Sequence, residues 1–287
     1  MAAELGAAKV YAIEASPVVA EYARKTIDKQ GWSDVVTVLE GFSTDITLPD
    51  NQKADIVVAE VVGSIASEEG AVATIADAHK RLVKNPKDAN NWLPNRIQTW
   101  AAPAAYTLHN LFRPPEFDWT KIASEPVRFN CRDVNLALLD TPQCVEDIVF
   151  SEIDKQSATT KTTKLSFRAS GERIQKASTD FVDEYRKGQL PQQQAKELAP
   201  IAAHSCTGVA MWPRLFLPYD FVIDSRSHPE GGAQRSHWQT VLPIMGATPA
   251  GGVQDGDRIE VTCDFATPLN VKASPKYSVT ANVFASG

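Results

Sequence analysis

The sequence of 287 residues lacks the patterns of several protein classes. Its four cysteines (Cys131, Cys144, Cys206 and Cys263) form no CxxC pair, which excludes the common zinc and redox motifs and favours free thiols in a reducing compartment. No apolar run approaches the roughly 18 residues of a transmembrane helix, and the N-terminus has no signal-peptide pattern. We therefore expect a soluble intracellular protein without a metal site, in the cytoplasm, with the nucleus as the alternative.

An excess of basic residues is also missing. The chain has 29 Lys and Arg against 35 Asp and Glu, a net charge of −6. Non-specific nucleic-acid binding needs clustered basic residues, so we expect no nucleic-acid partner; a mildly acidic surface suits a basic partner or substrate. Hydrophobic residues make up 43%, as in ordinary globular proteins, and the length predicts one large domain or two of average size.

The first hundred residues alternate between strand and helix patterns, which predicts a parallel, doubly wound sheet. Ser16 and Pro17 are typical of an N-cap and a first helical residue, and Gly31 is placed to end that helix. We expect the chain to open in a helix at Ala2–Leu5. The other predicted elements are strands at Val10–Ile13, Val35–Leu39 and Asp55–Ala59 and a helix over about Glu68–Val83.

Beyond a boundary near Leu93–Asn95 the pattern changes to short strands of period two separated by Pro, Gly and Asp turns. This pattern predicts an antiparallel barrel or sandwich, interrupted by a polar helical segment over about Gly171–Leu198. We therefore divide the chain into residues 1–94 and 95–287. The predicted strands are Asp147–Ile153, Thr163–Arg168, Gly208–Trp212, Phe221–Asp224, Trp238–Pro243, Arg258–Phe265 and Tyr277–Phe284.

A glycine-rich cofactor loop is missing before the first predicted strand. An open α/β sheet normally begins with a strand and such a loop, whose backbone N–H groups meet the cofactor. No GxGxxG or equivalent precedes Val10. Two interpretations remain open: the sheet is built differently, or its first unit is absent.

Glu14 directly follows the apolar run Val10–Ile13, so its carboxylate should emerge at the carboxyl end of a buried strand. An acid at this place in an open α/β sheet can accept hydrogen bonds from both ribose hydroxyls. The alternative is a solvated acid near the start of the next helix.

Glu60 and Glu69 flank a loop that contains Gly63. Two carboxylates at the ends of one loop could converge on a cation, and a guanidinium is the natural guest because each carboxylate can bind it through paired hydrogen bonds. The alternative is that Glu68 and Glu69 are first-turn acids that interact with a helix dipole.

His237 and Trp238 precede the apolar run Val241–Ile244. An exposed histidine could be a base or a hydrogen-bond donor beside a cleft, while the alternative is a structural residue before a strand. Ser236 next to His237 does not predict a hydrolase, because no GxSxG motif accompanies the pair.

Four segments in this order resemble the protein arginine methyltransferases, a family of enzymes dependent on S-adenosylmethionine. GAAKVYAIEAS resembles the segment after the family's glycine-rich motif, and ADIVVAEVVGSIASEE resembles its double-glutamate loop. LPNR resembles the junction to the family's β-barrel, and RSHWQTVLPI resembles its Thr-His-Trp loop, with Ser236 in the threonine place.

The resemblance implies a fold and a set of site residues. The fold would be α/β plus β: an N-terminally truncated Rossmann-like methyltransferase domain followed by an antiparallel β-barrel domain. Glu60, Glu69 and His237 would be catalytic and Trp238 would contact the substrate arginine. S-adenosyl-L-methionine would bind at Glu14, Ser43 and Thr44, although Ser43 and Thr44 stand where the family usually has an acid.

The resemblance also implies methyl transfer to arginine in a protein substrate. The family's N-terminal helices and glycine loop have no counterpart, so we expect the chain to correspond to the C-terminal two-thirds of a member and to bind the cofactor weakly. The alternative is a remnant or pseudoenzyme that acts as a protein-binding module. A homodimer is expected through an arm at Tyr106–Trp119, with an ordinary barrel loop as the alternative there.

Overall fold

The computed structural model describes residues 1–106, 109, 126–130, 135–153, 159–185, 191–226, 237–243, 250–270 and 273–287. Two regions follow one another in these residues. The α/β region runs from residue 1 to 93, and the β region begins at residue 96. The proposed dimer arm at Tyr106–Trp119 lies outside the described residues apart from Tyr106 and His109, and so do Cys131 and Ser236.

The α/β region contains parallel strands, as the sequence predicts. β1 pairs with β2 and β3 pairs with β4, in both cases parallel. The two pairs are separate two-stranded ladders and not one sheet, and the predicted third strand is only two residues long. The elements are β1 (Val10–Glu14), α1 (Pro17–Lys29), β2 (Val36–Glu40), β3 (Val57–Val58), α2 (Ala71–Arg81) and β4 (Trp92–Leu93).

The predicted ends of α1 are confirmed. The side chain of Ser16 caps the helix, and Pro17 is its first residue, where the missing N–H costs nothing. Gly31 adopts φ of +73°, and the N–H of Trp32 donates to the carbonyl of Ile27. This arrangement is a Schellman motif, which needs a residue that tolerates positive φ at the position of Gly31.

In the α/β region one predicted helical segment is wrong, and a second forms a helix but begins later than predicted. Ala2–Leu5 forms turns and not a helix. The helix predicted over Glu68–Val83 begins only at Ala71, because Gly70 adopts φ of +78° and stands at its N-cap. A residue with positive φ cannot continue a right-handed helix, so the acids before Gly70 lie in a loop.

The β region is antiparallel throughout, which confirms that part of the prediction. One sheet has the order β6-β13-β11-β5-β7, with β12 paired to β11 and β8 paired to β5, and a second has the order β16-β15-β9. A closed barrel stays a prediction. The strands are β5 (Arg96–Tyr106), β6 (Val127–Asn130), β7 (Leu136–Leu138), β8 (Gln143–Val149), β9 (Thr159–Arg168), β10 (Ser205–Cys206), β11 (Gly208–Leu217), β12 (Phe221–Asp224), β13 (Gln239–Leu242), β14 (Ala250–Gly251), β15 (Arg258–Thr267) and β16 (Lys276–Phe284).

Several elements of the β region differ from the sequence prediction, among them the short strands β6, β7, β10 and β14, which were not predicted. The long strand β5 was not predicted, because it is buried on both faces and rich in alanine, so it shows no alternation. The strand predicted at Asp147–Ile153 lies four residues earlier and ends in a 3-10 turn at Phe150–Glu152.

The predicted helical segment Gly171–Leu198 is two helices. Phe181 of the first is buried against small side chains of the second, among them Ala195 and Ala199. Pro191 stands at the N-cap of the second helix, where a missing N–H is tolerated. The helices are α3 (Gly171–Tyr185) and α4 (Gln192–Ala203).

Helix α2 is anchored to the β region, and this contact fixes the loop that precedes it. Its apolar face packs in one core with Trp92, Ile97 and Phe150. The ring of His79 stacks on that of Trp92 at 5.0 Å, and its Nε2 lies 2.6 Å from the carbonyl oxygen of Phe150. Helix α2 is therefore tied through its apolar face and His79 to the sheet that carries β5 and β8.

Three of the four cysteines lie in the described part of the chain. Among the described residues, Cys144, Cys206 and Cys263 form no disulfide, and burial raises the pKa of Cys206 and of Cys263 to about 12, so these two thiols stay protonated. In the described part of the chain, no helix is long and apolar enough to cross a membrane. The same residues contain no group of three or more His, Cys, Asp or Glu side chains that could hold a metal ion.

Candidate active site

The segment from Glu60 to Glu69 connects β3 to α2 and has a buried middle with exposed ends. Val62 to Ser67 are buried, whereas Glu60 and Glu69 are open to solvent. The N–H of Ala66 donates to Oγ1 of Thr99 on β5 at 2.9 Å. The middle of the loop is thus fixed to the sheet, and its two terminal carboxylates are presented at the surface.

Gly63 makes this loop possible through a close approach. A Cβ atom at this position would lie 2.0 Å from Cγ of Glu68, well inside contact distance. The side chain of Glu68 therefore folds back across the loop and occupies the space that any other residue at position 63 would fill. A glycine is therefore required at position 63 because the side chain of Glu68 lies against it.

Glu68 is bound by groups of its own chain. Its Oε1 accepts the N–H of Ser64 at 2.6 Å, and its two carboxylate oxygens accept hydrogen bonds of 3.1 and 2.8 Å from the guanidinium of Arg128 on β6. Its side chain is 17% exposed. This bidentate pair turns Glu68 away from Glu69 and neutralises one of the three carboxylates of the loop.

Glu60, Glu69 and His237 lie together at the open end of the loop. Nε2 of His237 is 3.6 Å from Oε1 of Glu60. Partial burial raises the pKa of Glu69, and the negative charges of Glu60 and Glu68 raise it further, while His237 acts in the opposite sense. Part of this rise comes from repulsion between the carboxylates of Glu60 and Glu69, and a cation between them would relieve that repulsion.

The segment that carries His237 is fastened to the same loop. Nε1 of Trp238 donates to the carbonyl oxygen of Val62 at 2.6 Å, and the N–H of Gln239 donates to Oγ of Ser64 at 3.0 Å. The rings of His237 and Trp238 lie 4.6 Å apart. Two residues distant in sequence from the glutamates are thereby held beside them.

The helix-dipole interpretation of Glu68 and Glu69 is wrong. Both residues precede Gly70, and the first turn of α2 contains no acid. Glu68 is held by Arg128, which leaves Glu60 and Glu69 as the carboxylates that can bind a further cation. A planar guanidinium could form hydrogen bonds with both.

The predicted nucleoside-binding residues follow the neighbouring parallel strands β1 and β2. Glu14 is the last residue of β1 and lies in register with Glu40 at the end of β2, as expected from the sequence. Oε1 of Glu14 accepts the N–H of Ser16 at 2.7 Å. One carboxylate oxygen thus binds the backbone of the N-cap residue of α1, and no hydrogen bond from the described residues to the other oxygen is seen.

Ser43 and Thr44 lie half-buried in the loop after β2. The guanidinium of Arg81 on α2 donates to the carbonyl oxygen of Ser43 at 2.8 Å and is paired with Asp77. This contact fixes the backbone of the loop and involves neither side-chain hydroxyl of Ser43 or Thr44. Glu14, Ser43 and Thr44 therefore belong to the β1–β2 edge, and the glutamate loop belongs to the β3–β4 pair.

Sequence reasoning missed the residues that hold the site together. Thr99 and Arg128 contact the loop from strands that are remote in sequence, and no sequence motif marks either residue. Ser64 was not predicted to hold the loop, yet it is buried and contacts both Glu68 and Gln239. The only signal that could have identified them is the need of a buried loop for partners to its polar groups.

The chain is similar in part of its length to curated arginine methyltransferases. It is 35% identical over 105 residues to protein arginine N-methyltransferase 7 of Rattus norvegicus, a match that covers 35% of this chain and 15% of the rat protein. It is 29% identical over 127 residues to protein arginine N-methyltransferase PRMT10 of Arabidopsis thaliana, covering 43% of this chain and 32% of that protein. The match thus spans less than a third of either relative, and no protein-family model matches the chain.

Solved structures show the same fold over almost the whole chain. The Trypanosoma brucei PRMT1 enzyme-prozyme heterotetrameric complex with AdoHcy superposes with a TM-score of 0.65 at 15% identity, covering 98% of this chain and 83% of that one. Arabidopsis thaliana protein arginine methyltransferase 10, in an open conformation, gives a TM-score of 0.62 at 14% identity, covering 98% and 84%. The α/β region followed by the β region is therefore an arrangement shared with these proteins.

Proposed function

We propose that the chain is a protein arginine N-methyltransferase, which transfers a methyl group from S-adenosylmethionine to a guanidinium nitrogen of arginine in a protein substrate; its partial similarity to curated members and its shared fold support this. The observation that carries this proposal is that Glu60 and Glu69, the two exposed ends of a loop whose middle is buried, lie near each other and near His237. Glu68 is already neutralised by Arg128, so the remaining pair of carboxylates is available to one cationic guest.

The two glutamates would hold and aim the guanidinium. Arginine has a pKa above about 12 and is not usefully deprotonated in a protein, so catalysis must direct a nitrogen and cannot rely on ionising it. Hydrogen bonds from Glu60 and Glu69 draw the positive charge towards two of the nitrogens and leave the third to attack. His237, 3.6 Å from Glu60, is placed to accept the proton that the methylated nitrogen releases, and Trp238 lines the entry.

The residues of the β1–β2 edge suit a nucleoside. A carboxylate at Glu14 can accept hydrogen bonds from ribose hydroxyls, and the hydroxyls of Ser43 and Thr44 follow the next strand at the same edge. Bound S-adenosylmethionine would supply a sulfonium-linked methyl group, whose bond to sulfur breaks as the bond to nitrogen forms. The chain's own contribution is to hold the nucleoside at this edge and the guanidinium at the glutamate loop.

Substitution of the three loop glutamates tests the proposal. We expect Glu60→Gln and Glu69→Gln each to lower kcat for methyl transfer to an arginine-rich peptide about 10²- to 10³-fold, as for loss of a catalytic electrostatic contact. Glutamine keeps the size of the side chain and removes the charge that orients the guanidinium. The free energy of unfolding should change little, because both side chains are exposed.

Glu68→Gln is the matched control in the same loop. It keeps an acceptor for the N–H of Ser64 and loses only the charge that faces Arg128, so kcat should fall much less than in the other two variants. Equal and mild effects at all three positions would contradict the assignment of Glu60 and Glu69 as the guanidinium clamp.

We also propose that the chain assembles with a second copy and works in the cytoplasm, and that residues 1–94 and 95–287 are its cofactor and substrate domains. Support for assembly comes from the aromatic and apolar composition of Tyr106–Trp119, which suits an interface. Light scattering at tens of micromolar protein should give the mass of a dimer, and a clean monomer would contradict the assembly.

A further inference from the structure

A buried carboxylate lies beneath the glutamate loop. Glu146 on β8 is 6% exposed, and its cross-strand partner on β5 is Thr99, which is fully buried. Acidic side chains are almost never buried to this extent without partners, because a carboxylate loses its hydration on burial. The proposed methyl transfer gives Glu146 no direct part, so its position needs a separate explanation.

A β-bulge turns Glu146 inwards. The register between β5 and β8 shifts between Thr99 and Trp100, so that Thr99 faces Glu146 and Trp100 faces Cys144. The intervening Val145 is buried as well, and two successive buried residues cannot occur in a regular strand with one solvated face. Bulges of this kind re-aim a side chain, and here the side chain that is re-aimed is a carboxylate.

The carboxylate of Glu146 accepts hydrogen bonds that reach the loop. Oγ of Ser67 donates to Oε1 at 2.5 Å, and Oγ1 of Thr99 donates to Oε2 at 2.8 Å. The same Oγ1 of Thr99 accepts the N–H of Ala66. The hydroxyl of Tyr277 lies 3.2 Å from Oγ of Ser67 and forms a further hydrogen bond with it. Ala66 and Ser67 are therefore both tied to one carboxylate.

These hydrogen bonds act together with the packing of Val62 and Ala66 in determining where the loop lies. A cavity of about 270 Å³ adjoins Glu146 and is also lined by Val72 of α2 and Phe265 of β15. Glu146 is therefore not closely packed on that side, and its hydrogen bonds to Ser67 and Thr99 hold its side chain in place. The charged groups that face this cavity from the neighbouring strands include Lys161 on β9.

We propose that Glu146 is a positioning residue, which fixes Ala66 and Ser67 on the sheet through its two hydrogen-bonded hydroxyls and thereby sets the place of Glu69 two residues further on. The proposal deepens the function proposed above and rests on it for its catalytic consequence. Glu146 itself touches no substrate. It acts through the loop, and its removal should loosen that loop before it affects any other part of the molecule.

Hydrogen exchange of the backbone amides tests the structural half of the proposal. In Glu146→Met, which keeps the length of the side chain without a hydrogen-bond acceptor of comparable strength, the amides of residues 64–69 should exchange at least tenfold faster than in the unmodified chain, by analogy with local opening of other loops. Glu146→Gln keeps one acceptor oxygen and should restore most of the protection. Asp147→Met makes the same chemical change one residue along, where the side chain pairs with Arg96 and does not reach the loop, and should leave these amides unchanged.

Kinetics test the catalytic half. With an arginine-rich peptide and S-adenosylmethionine, Glu146→Met should lower kcat about 10- to 100-fold, as expected for a misplaced catalytic group, with the half-saturating concentration of the cofactor unchanged. If Glu146 supported the fold in general instead, its loss would change both kcat and the half-saturating concentration of the cofactor. In that case Glu146→Gln would not rescue kcat.

A second pair of variants applies if Glu146→Met does not fold. Thr99→Val has the same shape without the hydroxyl, so it frees the N–H of Ala66, whereas Thr99→Ser keeps the hydroxyl; only the former should accelerate exchange at residues 64–69. Unchanged exchange in both loss variants, or equal acceleration in Asp147→Met, would overturn the proposal. Absence of methyl transfer by the unmodified chain would count against the proposed function alone, because exchange decides the positioning independently.

Discussion

Residues 1–61 and the β region differ sharply in how far their apolar side chains are covered. In residues 1–61, all of which the structure describes, the buried apolar side chains are Ala20 and Leu48. In the β region, β11 is buried over its first six residues, and the residues of β15 are alternately buried. The large apolar side chains that are more than half exposed in residues 1–61 are Met1, Leu5, Val18, Tyr22, Phe42, Ile56 and Val58.

This difference divides the candidate site. The glutamate loop belongs to the well-packed part of the molecule, because Val62 and Ala66 are buried and Thr99 and Glu146 hold its middle. The β1–β2 edge with Glu14 belongs to the thinly packed part. Since hydrophobic stabilisation grows with the apolar area removed from water, the guanidinium half of the site has a firmer support than the nucleoside half.

The largest expected effect contrasts the two parts directly. Phe150 is fully buried and its ring meets that of Trp92 edge-on at 5.9 Å. Phe150→Ala should lower the free energy of unfolding by about 3–5 kcal/mol, because it removes a large buried ring and leaves a cavity. Tyr22 on α1 is 71% exposed, and Tyr22→Ala should change the same quantity by no more than about 0.5 kcal/mol.

Denaturant titration of the two variants measures this contrast. Similar losses in both would mean that the surface of α1 around Tyr22 is covered in solution, and the comparison between the two parts would then fail.

The elements that the sequence predicts correctly are those determined by local chemistry. Ser16, Pro17 and Gly31 determine the ends of α1 through contacts within a few residues. The turn directly before Phe221 likewise marks the start of β12. The errors arise where tertiary contacts dominate. β5 is buried on both faces and loses its alternation. The helix at Ala71 starts late because Gly70 adopts positive φ, and Glu68 before it binds inside the loop.

The candidate site shows the same division. Glu14, Glu60 and Glu69 could be selected because each stands next to a recognisable strand or loop. Arg128 and Glu146 could not, since nothing in a sequence shows which strand lies under a loop, and the bulge that aims Glu146 inwards is a property of pairing between β5 and β8. The residues proposed to contact the ligands could be predicted, and those that hold the loop could not.

A smaller effect is expected at the nucleoside half. Glu14→Ala should weaken binding of S-adenosylmethionine about 10- to 100-fold, because it removes hydrogen bonds to a charged acceptor that are worth about 1.5–3 kcal/mol each. Glu40→Ala is the matched control, since Glu40 lies beside Glu14 in register but is paired with Arg24. Calorimetry compares the three proteins, and equal weakening by both substitutions would mean that Glu14 has no specific part in binding.

The smallest expected effect is a shift in the acid limb of the pH profile. Burial raises the pKa of Glu69 above the ordinary value of 4.5, and the charges of Glu60 and Glu68 add to this rise. Glu69 must be ionised to hold a guanidinium, so methyl transfer should fall as the pH drops through this raised value. A carboxyl whose pKa is higher in the folded state stabilises the fold at low pH, and that contribution is lost as the pH rises through the folded-state pKa. Protonation of Glu69 therefore does not destabilise the fold. The expected loss of activity at low pH comes from the loss of the charge on Glu69 and not from unfolding.

Two substitutions should move this limb in opposite directions. Glu68→Gln removes a negative charge and leaves Arg128 unpaired, so it should lower the pKa of Glu69 and move the limb to lower pH by a fraction of a unit. His237→Gln removes a group that lowers the pKa of Glu69, and it should move the limb to higher pH even though the rate itself is reduced. The measurement is kcat/KM against pH for the three proteins, with circular dichroism at each pH as the control for folding. If the acid limb stays at the same pH in both variants, a group other than Glu69 causes it. The raised pKa of Glu69 would then have no part in guanidinium binding.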